Sequence, residues 1–161
     1  MLLFALATLG TAGATEIGRN RDFGLGVQLG TFSGLSGKYY LGRGRENALS
    51  FGLGTGYGSS FYNSFHAHVT YSQHFAPLAS GDGVTIPWRI GIGGFVNSGN
   101  YFVFDDYVDD GFLLGARAPI GLDFDLEDVP VQIFVEVAID LLIFPGIAPG
   151  LDAGLGFRYY F

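Results

Sequence analysis

From residue 23 onward, large apolar residues recur at every second position. In 23–30, Phe23, Leu25, Val27 and Leu29 share one parity. In 48–57, Leu49, Phe51, Leu53 and Tyr57 oppose Ser50, Gly52, Gly54 and Gly56. In 64–75, Phe65, Ala67, Val69, Tyr71 and Phe75 oppose His66, His68 and His74. A period of two is the signature of a β-strand with chemically distinct faces. The same pattern runs, less cleanly, through 35–41 and then through 84–96, 111–126, 131–142 and 151–161. "GRGREN", "ASGDG", "EDVP" and "FPGIAPG" supply turn chemistry between strands. No helical stripe interrupts them. The pattern predicts an all-β domain over 15–161: eight antiparallel strands in up-and-down order.

The charged positions sharpen this picture. Within the predicted strands they are Lys38, Arg89, Arg117, Asp123, Asp125, Glu136, Asp140, Asp152 and Arg158. Each is expected to lie opposite the large apolar residues of its own strand. Alternation alone does not say which face is inside; volume does. An eight-stranded barrel has an interior just wide enough for side chains to fill. Four to six large apolar residues per strand would overfill it. The other face is glycine, serine, threonine, histidine and a few charges, an unusual surface to show water. With the apolar face on lipid and the small and charged face in a narrow lumen, both difficulties vanish. Strands of this length suit a tilted membrane span, and a closed barrel satisfies its backbone without water. The expectation is an eight-stranded antiparallel up-and-down transmembrane β-barrel. Tyr39, Tyr57, Phe75, Trp88, Phe112, Tyr159 and Phe161 are its candidate interface aromatics.

Composition agrees and excludes. The chain has 161 residues, no cysteine, 14% charged residues and 27 glycines. Disulfides and thiolate chemistry are ruled out. The net charge of −7, with eight Lys and Arg, argues against a nucleic-acid partner. Residues 1–14 hold the apolar run "LLFALATLG" and then "AGA", which read as the remnant of a secretory signal peptide.

The last strand, "LDAGLGFRYYF", carries a resemblance. It is similar to the C-terminal strand of bacterial outer-membrane barrels, with Tyr159 and Phe161 in the aromatic positions that the barrel-assembly machinery reads. Together with "GLSGKYYL", "FHAHVTY" and "IGIGG", the chain from about residue 20 resembles the OmpA-like barrels, within a subgroup of small single-domain proteins. The resemblance implies a bacterial outer-membrane location, membrane lipids and the assembly machinery as partners, and a structural, adhesive or weakly channel-forming role. Up-and-down order puts both termini in the periplasm. The external loops then fall near 31–34, 58–63, 97–110 and 143–150, and the turns 42–47, 76–83 and 127–130 are periplasmic.

Candidate functional residues follow from this topology. Lys38, Arg89, Arg117, Glu136, Asp140 and Arg158 form an expected lumen network, because charges in a narrow lumen must be paired. The leading reading is a plug that closes the barrel; the alternative is a narrow ion channel. His66, His68 and His74 are the expected lumen histidines. His66 and His68 stand about 6.5 Å apart on one face, a spacing that can serve zinc given a third ligand such as Asp140 or Asp152. His74 is roughly 20 Å beyond and cannot join them. No cofactor is expected, and this weak metal site is not adopted. A lipid-modifying enzyme would need a nucleophile motif; Ser64 near His66 is the nearest approach, so the chain reads as non-enzymatic. The external segment with Tyr101, Phe102, Phe104, Asp105, Asp106, Tyr107, Asp109 and Asp110 is the candidate surface-binding loop, aromatics being typical anchors for an extracellular protein ligand. The function expected is a non-enzymatic surface protein with a structural or adhesion-like role.

Overall fold

The computed structural model describes residues 21–42, 44–56, 64–103 and 106–161; at Ser64 and over 99–110 it describes the backbone alone. These residues form strands and turns. In chain order the strands are β1 (Phe23–Gly30), β2 (Phe32–Leu41), β3 (Asn47–Gly56), β4 (Ser64–His74), β5 (Ala79–Gly81), β6 (Val84–Ile86), β7 (Trp88–Val103), β8 (Asp106–Leu126), β9 (Val131–Phe144) and β10 (Ala148–Tyr160). β1, β2, β3, β4, β7, β8, β9 and β10 pair antiparallel in sequence order. The ring closes where β1 meets β10, from Gly24↔Tyr160 to Gly30↔Gly154. The result is a closed eight-stranded antiparallel barrel, which leaves the wall with no free edge.

Pro87 explains one departure from the predicted strands. The segment 84–96 is two strands, β6 and β7, because Pro87 has no N–H to give the ladder. β6 and β7 follow one another along β8, with Thr85↔Asp125 before the break and Trp88↔Leu122 after it. β5 folds back on β6 through Asp82 and Gly83, whose φ of 84° favours glycine. The predicted 76–83 turn is therefore a small rim hairpin. At the other end, the described part of the loop predicted over 97–110, residues 97–103 and 106–110, is strand instead. β7 and β8 continue pairing past the wall to Val103↔Asp106, with an irregularity between Gly99 and Tyr101. The turn predicted over 31–34 shrinks to Thr31, and that over 143–150 to 145–147. Residues 1–14, Tyr57, the loop 58–63, Phe104 and Asp105 lie outside the described residues.

Alternation now has a direction. Leu25, Val27, Leu53, Val69, Ile92, Ile120, Val137, Ile139, Leu151 and Phe157 point outward and are exposed. Lys38, Arg89, Arg117, Asp123, Asp125, Glu136, Asp152 and Arg158 point inward and are buried. This inverts the order of a water-soluble domain. One expectation is corrected. The charges do share a parity with some large apolar side chains: Phe32 and Tyr40 with Lys38, Phe95 with Arg89, Leu113 with Arg117, Phe134 and Leu142 with Glu136, Tyr160 with Arg158. All seven are buried in the lumen. Interiors pack without voids, and side chains as short as serine cannot fill the space alone.

Small inward residues set the curvature. At Gly26 on the β1–β10 seam, a Cβ would collide with the backbone carbonyl of Phe157. Gly34 and Gly54 face each other across β2 and β3, and a Cβ on either would strike the other's Cα. A bulkier residue at these close approaches would hold the strands apart.

Candidate functional site

The lumen is filled in three layers. The lower layer is polar and aromatic. The rings of Tyr40 and Tyr160 stack at 5.8 Å. Gln132 ties the layer together: its Nε2 donates to Asp125 Oδ1 at 2.7 Å and to the Tyr40 hydroxyl at 3.2 Å, and its Oε1 accepts from the Tyr160 hydroxyl at 3.0 Å. Arg45 folds over this end from the β2–β3 turn. It takes a left-handed φ of 52°, donates to the Arg21 carbonyl at 3.0 Å and lies 5.6 Å from the Tyr40 ring centre.

The middle layer is ionic, and Asp123 is its hub. Lys38 reaches across the lumen from β2 to Asp123 Oδ2 at 2.5 Å. Arg89 donates to Asp123 Oδ1 at 3.1 Å and to Glu136 Oε2 at 2.6 Å. The sequence makes room for this reach. Arg89 pairs with Gly121, which pairs with Glu136, and a Cβ at Gly121 would crowd the Arg89 guanidinium at 3.1 Å. Arg158 donates twice to Ser36 Oγ, at 2.7 and 3.1 Å, and lies 3.7 Å above the Phe134 ring. His74 Nε2 sits 3.1 Å from Asp123 Oδ2.

The upper layer joins Arg117 to the histidines. Arg117 Nη2 donates to Glu136 at 2.9 Å and to Asp152 at 3.0 Å, and its Nε lies 3.9 Å from Asp140. His66 and His68 bond to each other, Nε2 to Nδ1, at 2.9 Å, and His66 Nδ1 lies 2.6 Å from Asn97 Oδ1. Phe32 packs on both rings at 4.7 and 5.3 Å, and Phe95 stacks on His66 at 6.1 Å. Leu113 and Leu142 pack beside Phe95.

Asp123, Asp125 and Asp152 thus join the six charges expected in the network. On the wall strands four buried bases, Lys38, Arg89, Arg117 and Arg158, face four buried acids, Asp123, Asp125, Glu136 and Asp152, with half-buried Asp140 at the upper end and buried Arg45 over the lower one. A buried charge is tolerable only when paired or hydrogen-bonded; Lys38, Arg89 and Arg117 meet carboxylates, and Arg158 meets Ser36, Gln132 and the Phe134 ring. One continuous chain of contacts runs the length of the lumen: Asp152, Arg117, Glu136, Arg89, Asp123, Lys38, Gln132, Tyr160. The inward aromatics were signalled by parity with these charges, the one cue that could have found them.

The other candidates separate. His66 and His68 turn their nitrogens toward each other and Asn97, and among the described residues no three His, Asp or Glu come close enough to hold a metal ion. We assign no metal site there. The side chains of Ser64, Tyr101, Phe102, Asp106, Tyr107, Asp109 and Asp110 lie outside what is described. An apolar groove of about 670 Å³ runs over the outer face, from Leu29 across Leu155, Val135 and Leu122 to Trp88.

Fold and interior together define a class: a closed eight-stranded antiparallel β-barrel with a packed, ion-paired lumen. No family model, curated protein or solved structure matches the chain. The likeness to OmpA-like barrels rests on the sequence motifs alone.

Proposed function

We propose that this chain is a non-enzymatic bacterial outer-membrane barrel whose sealed body supports a surface role. The observation that carries the proposal is the inverted order of the barrel: an apolar exterior around a charged, paired interior. An apolar belt on this scale is costly in water and favourable in lipid. Both described ends of the chain lie at the Tyr40 end, where Arg21 donates to the Tyr160 carbonyl at 3.1 Å. That end is the periplasmic one in this reading. β10 then presents Phe161 to the assembly machinery, and the β7–β8 hairpin projects outward as the element for an extracellular protein ligand. Membrane lipids surround the wall.

Purified protein refolded into lipid vesicles and planar bilayers tests the proposal. Insertion without discrete conductance steps at neutral pH is the expected outcome. Stable stepwise conductance would replace the plug with a narrow channel, and failure to insert would remove the membrane reading. Deleting residues 100–110 is expected to abolish binding of whole cells to host surfaces while leaving the barrel folded.

A further inference from the structure

All three histidines lie on β4, yet a proton would do different things to them. His74 aims Nε2 at the Asp123 carboxylate, so its protonated ring keeps the contact as a charge-assisted bond. His66 and His68 aim at each other. A bond between two ring nitrogens needs one proton and one lone pair. When His66 Nδ1–H donates to Asn97 Oδ1, His66 Nε2 must accept from His68 Nδ1–H. Turning the Asn97 amide over reverses the donors but still leaves one lone pair between the rings. With both rings protonated, N–H faces N–H and two cations stand with ring centres 5.2 Å apart.

The surroundings offer little relief. Among the described residues, Arg117 and Asp152 are the charged groups facing His66, and Arg117, Glu136 and Arg158 face His68. Both carboxylates are already engaged by Arg117. From β2, β3 and β7 the pair meets Phe32, Gly52, Phe95 and Asn97, none of them ionisable. A Cβ at Gly52 would strike the His68 ring, so the ring sits close against that wall.

We propose that the His66–His68 pair is a proton-operated latch on the upper lumen. The second proton breaks the bond between the rings and releases the Phe32 and Phe95 packing that rests on it. The ionic layer below, with His74 in it, stays closed. The latch rests on the sealed-barrel reading and adds acid sensitivity to one end of it. A single coupled proton makes the opening constant rise about tenfold per pH unit while that proton is being taken up.

Amide hydrogen exchange in detergent micelles, read by mass spectrometry and corrected for intrinsic rates, tests it. Between pH 7.5 and 4.5, protection over 52–56 and 65–69 is expected to fall at least tenfold, while 120–124 and 132–136 stay protected. In His68→Gln the amide can donate or accept toward His66, so protection should stay flat with pH. His74→Gln should keep the wild-type response. A flat wild type, or an acid response retained in His68→Gln, overturns the latch. Should His68→Gln not fold, ¹⁵N spectra of the wild-type imidazoles decide. Both rings charged with lost protection supports the latch; either ring neutral at pH 4.5, or both charged with protection intact, overturns it. Conductance at pH 7.5 would overturn the sealed reading and with it the latch that rests on it, a failure distinct from a flat exchange response in a barrel that does not conduct.

Discussion

Glu136 holds two guanidiniums at once, Arg89 at 2.6 Å and Arg117 at 2.9 Å. Removing its charge leaves Arg89 with Asp123 and Arg117 with Asp152, each carboxylate already serving in the network. Orphaning a buried charge outright costs about 3–5 kcal/mol, which is the ceiling here because each arginine keeps one carboxylate. Glu136→Gln is expected to lower stability by up to that amount in urea titrations of the vesicle-inserted protein. An unchanged midpoint would show that the ionic layer does not hold the barrel together. At this scale the sequence spoke through parity. Lys38, Arg89, Arg117, Glu136, Asp140 and Arg158 read as inward because each alternates with apolar neighbours. Asp123 has the same parity, but its place at the hub was not legible. Its contact with Lys38 spans the lumen from β8 to β2 and exists only once the ring has closed. Phe134 shares the parity of Gln132 and Glu136, so its inward side could be read from the sequence, but its place 3.7 Å beneath the Arg158 guanidinium of β10 could not.

Among elements, the strands were legible and their ends were not. Eight runs of period two suffice to place eight staves, whereas a strand's limit depends on what its neighbours pair with. The glycine and serine of "TFSG" suggest a loop, yet β2 already begins at Phe32. The chain reverses over 29–33, beyond the last β1–β2 pair Gln28↔Gly34, and Thr31 at its centre donates its backbone N–H to the Ala153 carbonyl at 3.0 Å and accepts the Ala153 N–H on its hydroxyl at 3.1 Å. The β7–β8 hairpin outlasts its neighbours: β4 leaves β7 at Ser98 and β9 leaves β8 at Leu114. Closure itself depends on the seam between β1 and β10. Gly26 sits against the Phe157 carbonyl there, and no side chain can occupy that approach without moving a strand. Gly26→Val is expected to cost about 1–3 kcal/mol through overpacking. The readout is the share of protein keeping the compact mobility of a folded barrel in unheated detergent gels. Gly81→Val, on the open rim hairpin where a Cβ meets nothing within 4 Å, should leave that share unchanged. Equal behaviour of the two variants would refute the seam as a point of close packing.

For the whole molecule, the question is how the barrel sits in its surroundings. The strand charges whose side chains are described face inward, so that part of the wall has little with which to meet water. In the proposed outer-membrane reading its exposed rows of leucine, isoleucine and valine meet hydrocarbon, and the aromatic side chains near the ends of the strands mark where that partner should stop. Trp88 makes the boundary measurable, because it is the only tryptophan in the chain. It stands at the foot of β7, half-buried, stacked on Phe75 at 4.2 Å with 15° between the planes. Directly after Pro87, it marks the level where the wall gives way to the rim hairpin. If that level is the lipid–water interface, lipids brominated near the headgroup should quench Trp88 fluorescence more than lipids brominated near the chain ends. Moving the sole tryptophan to mid-wall, as Trp88→Phe with Ile120→Trp, should reverse the order, since Ile120 is exposed on the outer face two residues above the partner of Trp88. Stronger quenching of Trp88 by the deep label would place the rim hairpin inside the bilayer. Equal, weak quenching at both positions would mean that the outer wall does not meet lipid at all.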